Sequence, residues 1–413
     1  MEPLLSPETF AERAAEELIE AIVDGTLGFD RQQFALVIKS GTGKALKTIY
    51  LHRYYQSYKN APANLTTVLT DIARFFRRQD DFCDYGLVAP HLMPVMRDYA
   101  ENYLDWCHLK REYGDAVGNY QALLWCEHLV IFPVIDTGES QVRVTSRMLE
   151  DWSQDFDTVI EQAANNLIAK TEHFDFASIY DNETGTDCCH ESTWNDHYDA
   201  MRLCYFSFPD LSVSGKRLYL LVNPSKLFIW GAGDVLGTAC ALQKLDEMSG
   251  ANSVVRKLPP YVLCDAPGGG FEIYKPDPKR EEALCAALAR HQLQYQFESY
   301  ARQLEFLSSD ADVLQNDLFV SKFVALQAKD GSLRSTCTWT QTVECLLPKT
   351  DSIGFSVVNE EKTKATFLGE VQWKDAVKIL GDQMIPEPGM YPPRFRTVGF
   401  PSKEQLQRLG IRV

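Results

Sequence analysis

The sequence predicts an α+β fold, with mixed helices and short, mostly antiparallel sheets arranged in two domains. The first observation behind this prediction is composition: 45% of the residues are apolar and 24% are charged, as in ordinary globular proteins. The second is the length of 413 residues, which allows two or three domains. The third is that helical spacing and strand-like patterns recur along the whole chain, and several of the strand-like patterns form candidate hairpins.

The first predicted elements are a helix, a hairpin and a second helix. Ser6 is a favourable N-cap and Pro7 suits the first helical position, so a helix should begin here and end at Gly25. The stretch FALVIKSGTGKALKTIYL, residues 34–51, predicts a hairpin with a glycine-rich turn. Asn64 then caps the helix predicted in NLTTVLTDIARFFRR.

The middle of the chain predicts loops, helices and strands in succession. We expect, in order, a loop at residues 78–91, a helix at about 92–111, a buried strand broken by Pro133, a short strand in QVRVTS, a helix at 147–170 and a polar, irregular segment at 181–197. The stretch LYLLVNPSKLFIW then predicts two strands with Asn223-Pro224 at their turn. A helix should follow at about 234–248.

A domain boundary is expected near residue 280, where YKPDPKRE combines two prolines with mixed charges. We therefore expect an α+β domain over residues 1–279, with a polar insert at 181–196, and a C-terminal α+β domain over residues 280–413. The second domain should begin with a long helix and continue with a hairpin that turns at Asp330-Gly331.

Charge and cysteine content restrict the classes of partner. The chain carries 57 acidic and 41 basic residues, a formal net charge of −16, which disfavours nucleic acids and anionic membrane surfaces. We expect no membrane segment, because no stretch approaches about 18 consecutive apolar residues. The acidic N-terminus does not match a secretory signal. The 11 cysteines lie mostly in apolar segments, which favours reduced thiols in a cytoplasmic protein.

The stretch GAGDVLG shares part of its pattern with a dinucleotide-binding turn. Gly231, Gly233 and Gly237 have a looser spacing than that turn requires. Asp234 stands where a phosphate would meet the helix N-terminus, which is electrostatically unfavourable for an anion. Residues 251–262 contain no acid for the ribose. We expect Asp234 to cap a helix, and no dinucleotide cofactor to bind.

The stretch SGTGKALKT contains part of a phosphate-binding loop pattern. Ile38 stands at the position of its first glycine, and Ala45 stands where Ser or Thr would bind magnesium. A glycine-rich hairpin turn is the expected explanation.

Residues 187–197 contain side chains of the types that bind zinc: Cys188, Cys189, His190 and His197 are the candidate ligands. Adjacent cysteines rarely both reach one ion, and no C-x-x-C motif accompanies them. The alternative is a polar surface loop. We expect no cofactor, with zinc as the alternative.

Asp199 and Arg202 are the candidate catalytic residues of the same region. They lie three positions apart on a predicted helix, where they could also simply pair with one another. We expect Asp199, Arg202 and Tyr198 to serve the structure first. Neither the H-E-x-x-H nor the G-x-S-x-G motif occurs in the chain.

Several stretches, taken in order, are similar to segments of one family. FDRQQFALVIKSGTGKALKTIYLHRYYQSY resembles its opening hairpin and the start of its next segment, and IFPVI resembles its central strand. VTSRMLEDW and AANNL resemble its helical segment, HYDAMRL its Tyr-Asp-Ala-Ser-Arg-Leu pattern, and LYLLVNPSKLFIW its late strand, turn and strand.

This family is the YtpQ-like group of bacterial proteins, a domain of unknown function, and the resemblance covers roughly residues 8–278. The sequence departs from the family at Met201, where a small hydroxyl residue is usual, in the insert 181–196 and after about residue 280. The resemblance implies a fold family and a bacterial origin, and it implies no reaction.

The function expected from these observations is binding or protein interaction without a catalytic site, in a cytoplasmic bacterial protein. The expected partner is a protein, with no nucleic acid and no membrane involved. The alternative is a metal-dependent hydrolase whose site lies around residues 187–202. The sequence does not decide the oligomeric state.

Overall fold

The fold is taken from a computed structural model of the chain. The structure describes residues 4–19, 22, 26–31, 34–39, 45–78, 82, 84–138, 141–173, 175–180, 187–208, 211–249, 258–309, 318–328, 331–341, 343–358 and 365–412.

Helices occur along the whole described chain and vary widely in length. They are α1 Pro7–Leu18, α2 His52–Asn60, α3 Leu65–Arg78, α4 Tyr85–Val88, α5 Tyr99–Tyr113, α6 Ser146–Trp152, α7 Phe156–Lys170, α8 Asp199–Arg202, α9 Val235–Ser249, α10 Glu282–Ser308, α11 Trp373–Leu380 and α12 Lys403–Arg408. Among the described residues, no helix has the length and apolar character needed to cross a membrane.

The strands of the first half form two sheets. One has the order β1-β2-β3, from Thr26–Asp30, Ala35–Lys39 and Ala45–Tyr50. The other has the order β4-β6-β5, with β7 also paired to β6, from Leu92–Asp98 (β4), Leu123–Cys126 (β5), Leu129–Asp136 (β6) and Gln141–Arg143 (β7). The pairs β1·β2, β2·β3, β5·β6 and β6·β7 are antiparallel.

The second half contains a six-stranded sheet of order β13-β12-β10-β11-β9-β8. Its strands are Phe176–Tyr180 (β8), Asp187–Ser192 (β9), Arg217–Asn223 (β10), Lys226–Gly231 (β11), Val262–Asp265 (β12) and Phe271–Ile273 (β13). Its described pairings are all antiparallel.

Two four-stranded sheets follow, of order β14-β17-β21-β20 and β15-β16-β18-β19. Their strands are Phe319–Val320 (β14), Val324–Gln327 (β15), Leu333–Thr340 (β16), Cys345–Pro348 (β17), Ser352–Val358 (β18), Ala365–Gln372 (β19), Met384–Pro386 (β20) and Arg394–Thr397 (β21). Only β14·β17 and β16·β18 are parallel among the described pairs of these sheets. The fold class is therefore α+β with mostly antiparallel sheets, as the sequence predicts.

The chain divides into two compact units, each built of three stretches. The first unit comprises residues 1–93, 109–121 and 133–166, and the second comprises residues 94–108, 122–132 and 167–413. This division does not fall near residue 280, where the sequence predicts a boundary. Leu284 and Leu288 of α10 instead belong to the same apolar core as Val262 and Leu220 of the six-stranded sheet.

Two apolar clusters lie among the described residues of the first unit. In one, Phe10 of α1 packs with Leu36 and Ile72. The start of α1 follows the prediction, because Ser6 accepts a hydrogen bond from the Thr9 backbone at 3.1 Å. In the other cluster, Trp152 packs with apolar residues of helices α6 and α7 and of strands β4 and β6.

Three sequence predictions between residues 92 and 170 are wrong. Residues Leu92–Asp98 form a fully buried strand where a helix is expected, because a short apolar run buried on both faces has no decisive periodicity. Strand β6 continues through Pro133 without a break. The helix predicted at 147–170 is two helices, separated at Ser153 by a left-handed backbone with φ of 53°.

The prediction of a polar, irregular segment at 181–197 is also wrong for part of that range. Residues Asp187–Ser192 form β9, which lies between β11 and β8 in the six-stranded sheet. Cysteine behaves as a small apolar residue when buried, so the polar appearance of DCCHES is misleading. Residues 181–186 lie outside the described part of the chain.

Several hairpins and helices are confirmed. Strands β2 and β3 pair as predicted, although the turn at residues 40–44 lies outside the described residues. Strands β10 and β11 pair through the turn after Asn223. Helices α9 and α10 lie where helical spacing places them, and β15 pairs with β16 on either side of Gly331.

Candidate functional site

The predicted zinc ligands begin on strand β9. Successive side chains of a strand point to opposite faces, so Cys188 and Cys189 face different layers. The Cys188 thiol donates to the Ile179 carbonyl oxygen at 3.1 Å. Cys189 pairs across the sheet with Trp230 and is fully buried.

Both predicted histidine ligands make hydrogen bonds with residues distant in the sequence. His190 is buried, and its ring nitrogens lie 3.2 Å from the Ser178 hydroxyl and 2.9 Å from the Ser212 carbonyl oxygen. His197 has a left-handed backbone, and its Nδ1 lies 2.9 Å from the Ser225 hydroxyl. In the described part of the chain, no three His, Cys, Asp or Glu side chains form a group that could hold a metal ion.

Arg202 does not pair with Asp199, contrary to the sequence-based explanation. Its two terminal nitrogens donate to the two carboxylate oxygens of Asp196, each at 2.8 Å. Its Nε donates to the Thr171 hydroxyl at 2.9 Å, and its guanidinium lies 4.3 Å from the ring centre of Trp194. The guanidinium therefore anchors α8 to its surroundings.

Asp196 reaches Arg202 because the backbone reverses on both sides of it. Asn195 and His197 have φ values of 51° and 68°, a conformation that is uncommon outside glycine. Burial opposes ionisation of the Asp196 carboxyl, but the hydrogen bonds and charge of Arg202 lower its pKa.

Asp199 has no exposed surface in this structure. Burial raises the pKa of its carboxyl, although bonds from the Ser192 hydroxyl and the Asn195 backbone act in the opposite direction. Its Oδ1 has no hydrogen-bond partner among the described residues.

Two of the three glycines of GAGDVLG have packing reasons to be glycine, and the third, Gly233, has a positive φ of 84°. A Cβ at Gly231 would lie 2.0 Å from the Ser214 carbonyl oxygen, and a Cβ at Gly237 would lie 2.3 Å from that of Cys188. The Asp234 carboxylate accepts from the Gly237 backbone at 2.9 Å. The prediction that Asp234 caps α9 is confirmed.

A pocket of about 270 Å³ lies elsewhere in the second unit. Its apolar lining comes from Leu104, Phe306, Leu307, Leu318, Leu346, Pro388 and Met390. Its polar and remaining lining comes from Tyr103, Cys107, Gln303, Glu387, Gly389, Tyr391 and Arg396. These residues come from α5, α10, the position just before β14, β17 and the segment around β20 and β21, so the lining is assembled from distant parts of the sequence.

The charged residues of the lining neutralise one another. Arg396 donates through Nε and a terminal nitrogen to the two carboxylate oxygens of Glu387, at 2.8 and 3.0 Å. This bidentate arrangement fixes both side chains. The pair adds polarity to the pocket without adding net charge.

Tyr391 forms one wall and is held by a chain of hydrogen bonds. Its hydroxyl donates to the Glu127 carbonyl oxygen at 2.6 Å and bonds to His128 Nδ1 at 2.5 Å. Because that hydroxyl proton is used, Nδ1 of His128 is the donor to Tyr391. The Tyr391 ring stacks on Tyr99 with centroids 4.0 Å apart, and His128 stacks on Tyr261 at 4.7 Å.

Asp98, the last residue of β4, supports the same wall from the start of α5. Its carboxylate accepts from the Ala100 backbone at 2.7 Å, as a helix N-cap does, and from the Tyr295 hydroxyl at 3.0 Å. Burial raises the pKa of Asp98 to about 7. Burial likewise lowers the pKa of His128. Near pH 7, Asp98 is therefore about half protonated and His128 is mainly neutral.

Sequence reasoning did not identify this pocket or its supporting cluster. Cys107-His108 and Cys126-x-His128 are close in sequence, but Cys107 lines the pocket while His108 packs its ring against Phe306 at 4.7 Å. The only sequence signal was the concentration of tyrosines near residue 100. Comparison with protein-family models, curated protein sequences and solved structures finds no match to this chain.

Proposed function

We propose that the protein is a binding module whose pocket in the second unit receives one bulky apolar or aromatic side chain of a partner protein. The observation that carries this proposal is a lining that combines apolar side chains with a charged pair, Glu387 with Arg396, whose members already satisfy one another. Protein interfaces concentrate their binding energy in such places, where an aromatic anchor fills a pocket surrounded by polar groups.

The size of the pocket favours a single side chain over a whole cofactor. Its volume of about 270 Å³ lies below the range of about 300–1,000 Å³ that is usual for drug-sized ligands. A cavity of roughly 150 Å³ already accommodates benzene, so an indole or phenol ring has sufficient room. Because Glu387 and Arg396 are paired, the lining has no excess positive charge to attract a phosphate or carboxylate.

The alternative of a metal-dependent hydrolase around residues 187–202 has less support. Arg202 is committed to Asp196, and both nitrogens of His190 have partners. We include in the proposal a bacterial, cytoplasmic setting and a relationship to the YtpQ-like family, which rest on the sequence features quoted above.

The proposal is tested with N-acetyltryptophanamide as a probe of the pocket. Its binding to the protein is measured by NMR or calorimetry. Met390→Trp should fill the pocket and abolish saturable binding. Met148→Trp is the matched control, because Met148 is also partly buried but packs in the first unit. A folded Met390→Trp protein that binds the probe as well as the wild type contradicts the proposal.

A competition experiment addresses the partner. Short peptides with a central Trp should compete with the probe, whereas peptides with Ala in its place should not. If N-acetyltryptophanamide binds but no Trp-containing peptide competes, the pocket takes a small molecule and the protein-interaction proposal is wrong.

A further inference from the structure

Helix α9 lies unusually close to strand β9 at one point. A Cβ at Gly237 would lie 2.3 Å from the Cys188 carbonyl oxygen and 3.1 Å from Cβ of Trp230. The first distance is too short for any side chain, because the obstacle is backbone. Only glycine therefore permits this approach of the helix to the sheet.

The close approach brings two cysteines together. Cys240 follows Gly237 by three residues and so lies on the same face of α9. Cys189 lies on the face of β9 that carries Trp230, whose indole nitrogen donates to Thr238 of α9 at 3.1 Å. The two side chains belong to one apolar core. Each thiol is the largest influence on the pKa of the other.

The neighbouring cysteine on the strand is arranged differently. Cys188 uses its thiol to bond the Ile179 carbonyl oxygen in the adjacent strand β8. Strand alternation places it on the opposite face from Cys189. Cys188 can therefore serve as an internal control for its neighbour Cys189.

We propose that Cys189 and Cys240 are a redox-responsive site at which a disulfide bond joins strand β9 to helix α9 when the protein meets a hydroperoxide. The bond would join two side chains of one apolar core, beside the point where Gly237 lets α9 approach β9. This site is independent of the pocket and of the proposed binding function.

The two cysteines have different roles in the reaction. Cys240 is partly exposed and Cys189 is fully buried, so the peroxide reaches Cys240. The hydrogen bond from Cys189 lowers the pKa of Cys240, and the Lys244 ammonium adds to this effect. The same hydrogen bond, together with burial, raises the pKa of Cys189. Cys240 is therefore the thiolate that attacks first.

The reaction balances with hydrogen peroxide as the oxidant. The Cys240 thiolate attacks one peroxide oxygen, the O–O bond breaks, and the departing hydroxide takes a proton to leave as water. Cys240 is now a sulfenic acid. The Cys189 thiol gives up its proton and attacks the Cys240 sulfur, so the S–S bond forms and the S–O bond breaks. The second hydroxide leaves with that proton as water.

The test is treatment of the reduced full-length protein with hydrogen peroxide, followed by alkylation and mass spectrometry of a non-reducing digest. The wild type should lose two free thiols, lose the mass of two hydrogen atoms and yield a peptide linked through Cys189 and Cys240. Dithiothreitol should reverse the change. Cys240→Ser should abolish the linked peptide.

Two control variants make the result specific. Cys188→Ser and Cys285→Ser should keep the linked peptide, because Cys285 bonds the Pro276 carbonyl oxygen instead of a thiol. In Cys189→Ala, Cys240 should accumulate as a sulfenic acid that dimedone traps. A linkage through Cys188, or oxidation of Cys240 in the wild type without any linked peptide, overturns the proposal.

Discussion

Arg202 forms its bidentate ion pair with Asp196, six residues earlier in the chain, and not with Asp199, three residues earlier. The side chain of Arg202 is 1% exposed and that of Asp196 is 22% exposed. A buried guanidinium depends on its partner, because an uncompensated buried charge is costly. This pairing makes opposite predictions for the two aspartates.

Asp196→Asn should destabilise the protein by about 3 kcal/mol, since it leaves the buried Arg202 without a counter-charge. Asp199→Asn should cost clearly less at pH 7, because Arg202 does not pair with Asp199, and burial, which raises the pKa of Asp199, disfavours its carboxylate. Urea denaturation of the two variants, which have the same change in composition, measures the difference. Equal loss of stability in both would contradict the assignment of the ion pair.

The ion pair also has a predicted pH dependence. The folded-state pKa of Asp196 is lowered, so its contribution to stability is present above the unfolded-state pKa of about 4 and is lost as the pH falls through the lower folded-state value. The stability difference between wild type and Asp196→Asn should therefore shrink below about pH 4. Unfolding curves at a series of acidic pH values provide the measurement.

Asp98 should produce the opposite pH dependence. Burial raises its pKa to about 7, so its favourable contribution is present below about pH 4 and is lost as the pH rises to about 7, by at most about 4 kcal/mol. Asp98→Asn keeps an oxygen for the Ala100 backbone and the Tyr295 hydroxyl but cannot ionise. The variant should gain stability relative to the wild type at pH 8 and not at pH 4. A constant difference across this range would refute the raised pKa.

Gly237→Ala should cost about 2–3 kcal/mol, because the new Cβ meets the Cys188 carbonyl oxygen and the helix must move away from the strand. Gly268→Ala is the matched control, since nothing lies within 4 Å of its Cβ position. The control should change stability by less than about 0.5 kcal/mol. Thermal or urea unfolding distinguishes the two. A harmless Gly237→Ala would mean that α9 and β9 are not in close contact.

Glu387→Gln should alter which probes the pocket prefers. Removing the carboxylate leaves the Arg396 guanidinium without its bidentate partner. N-acetyltryptophan, which carries a carboxylate, should then bind about two- to fivefold better relative to N-acetyltryptophanamide than it does in the wild type, as expected for one partly exposed ion pair. Calorimetry with both probes measures the ratio of their affinities. An unchanged ratio would place the bound probe away from Arg396.

Local signals in the sequence were sufficient for the elements that close over a short distance. The β10–β11 pair was predicted because Asn223-Pro224 marks its turn, and the start of α1 because Ser6 and Pro7 mark its cap. Strand β9 was missed because the groups that satisfy His190 include Ser212, which is 22 residues away. Its burial depends on tertiary contacts and not on composition.

The site residues were identified less well, for the same reason. Asp196 and Arg202 meet only because two left-handed residues reverse the chain on either side of Asp196, and helical spacing alone favours Asp199. The pocket unites Tyr103, Gln303 and Tyr391, which no local pattern connects. Sequence spacing can place chemistry on one element, but it cannot assemble a site from several.

The interleaving of the two compact units has a consequence for how the protein can be made. Each unit is built of three separate stretches of chain, so no single cut yields a fragment that contains one unit whole and excludes the other. During synthesis, the first unit cannot be completed until residue 166 has been made, and by then two stretches that belong to the second have also been made. Any truncation that removes one of the three stretches leaves its unit incomplete, so selective changes to one unit are better made by point substitution.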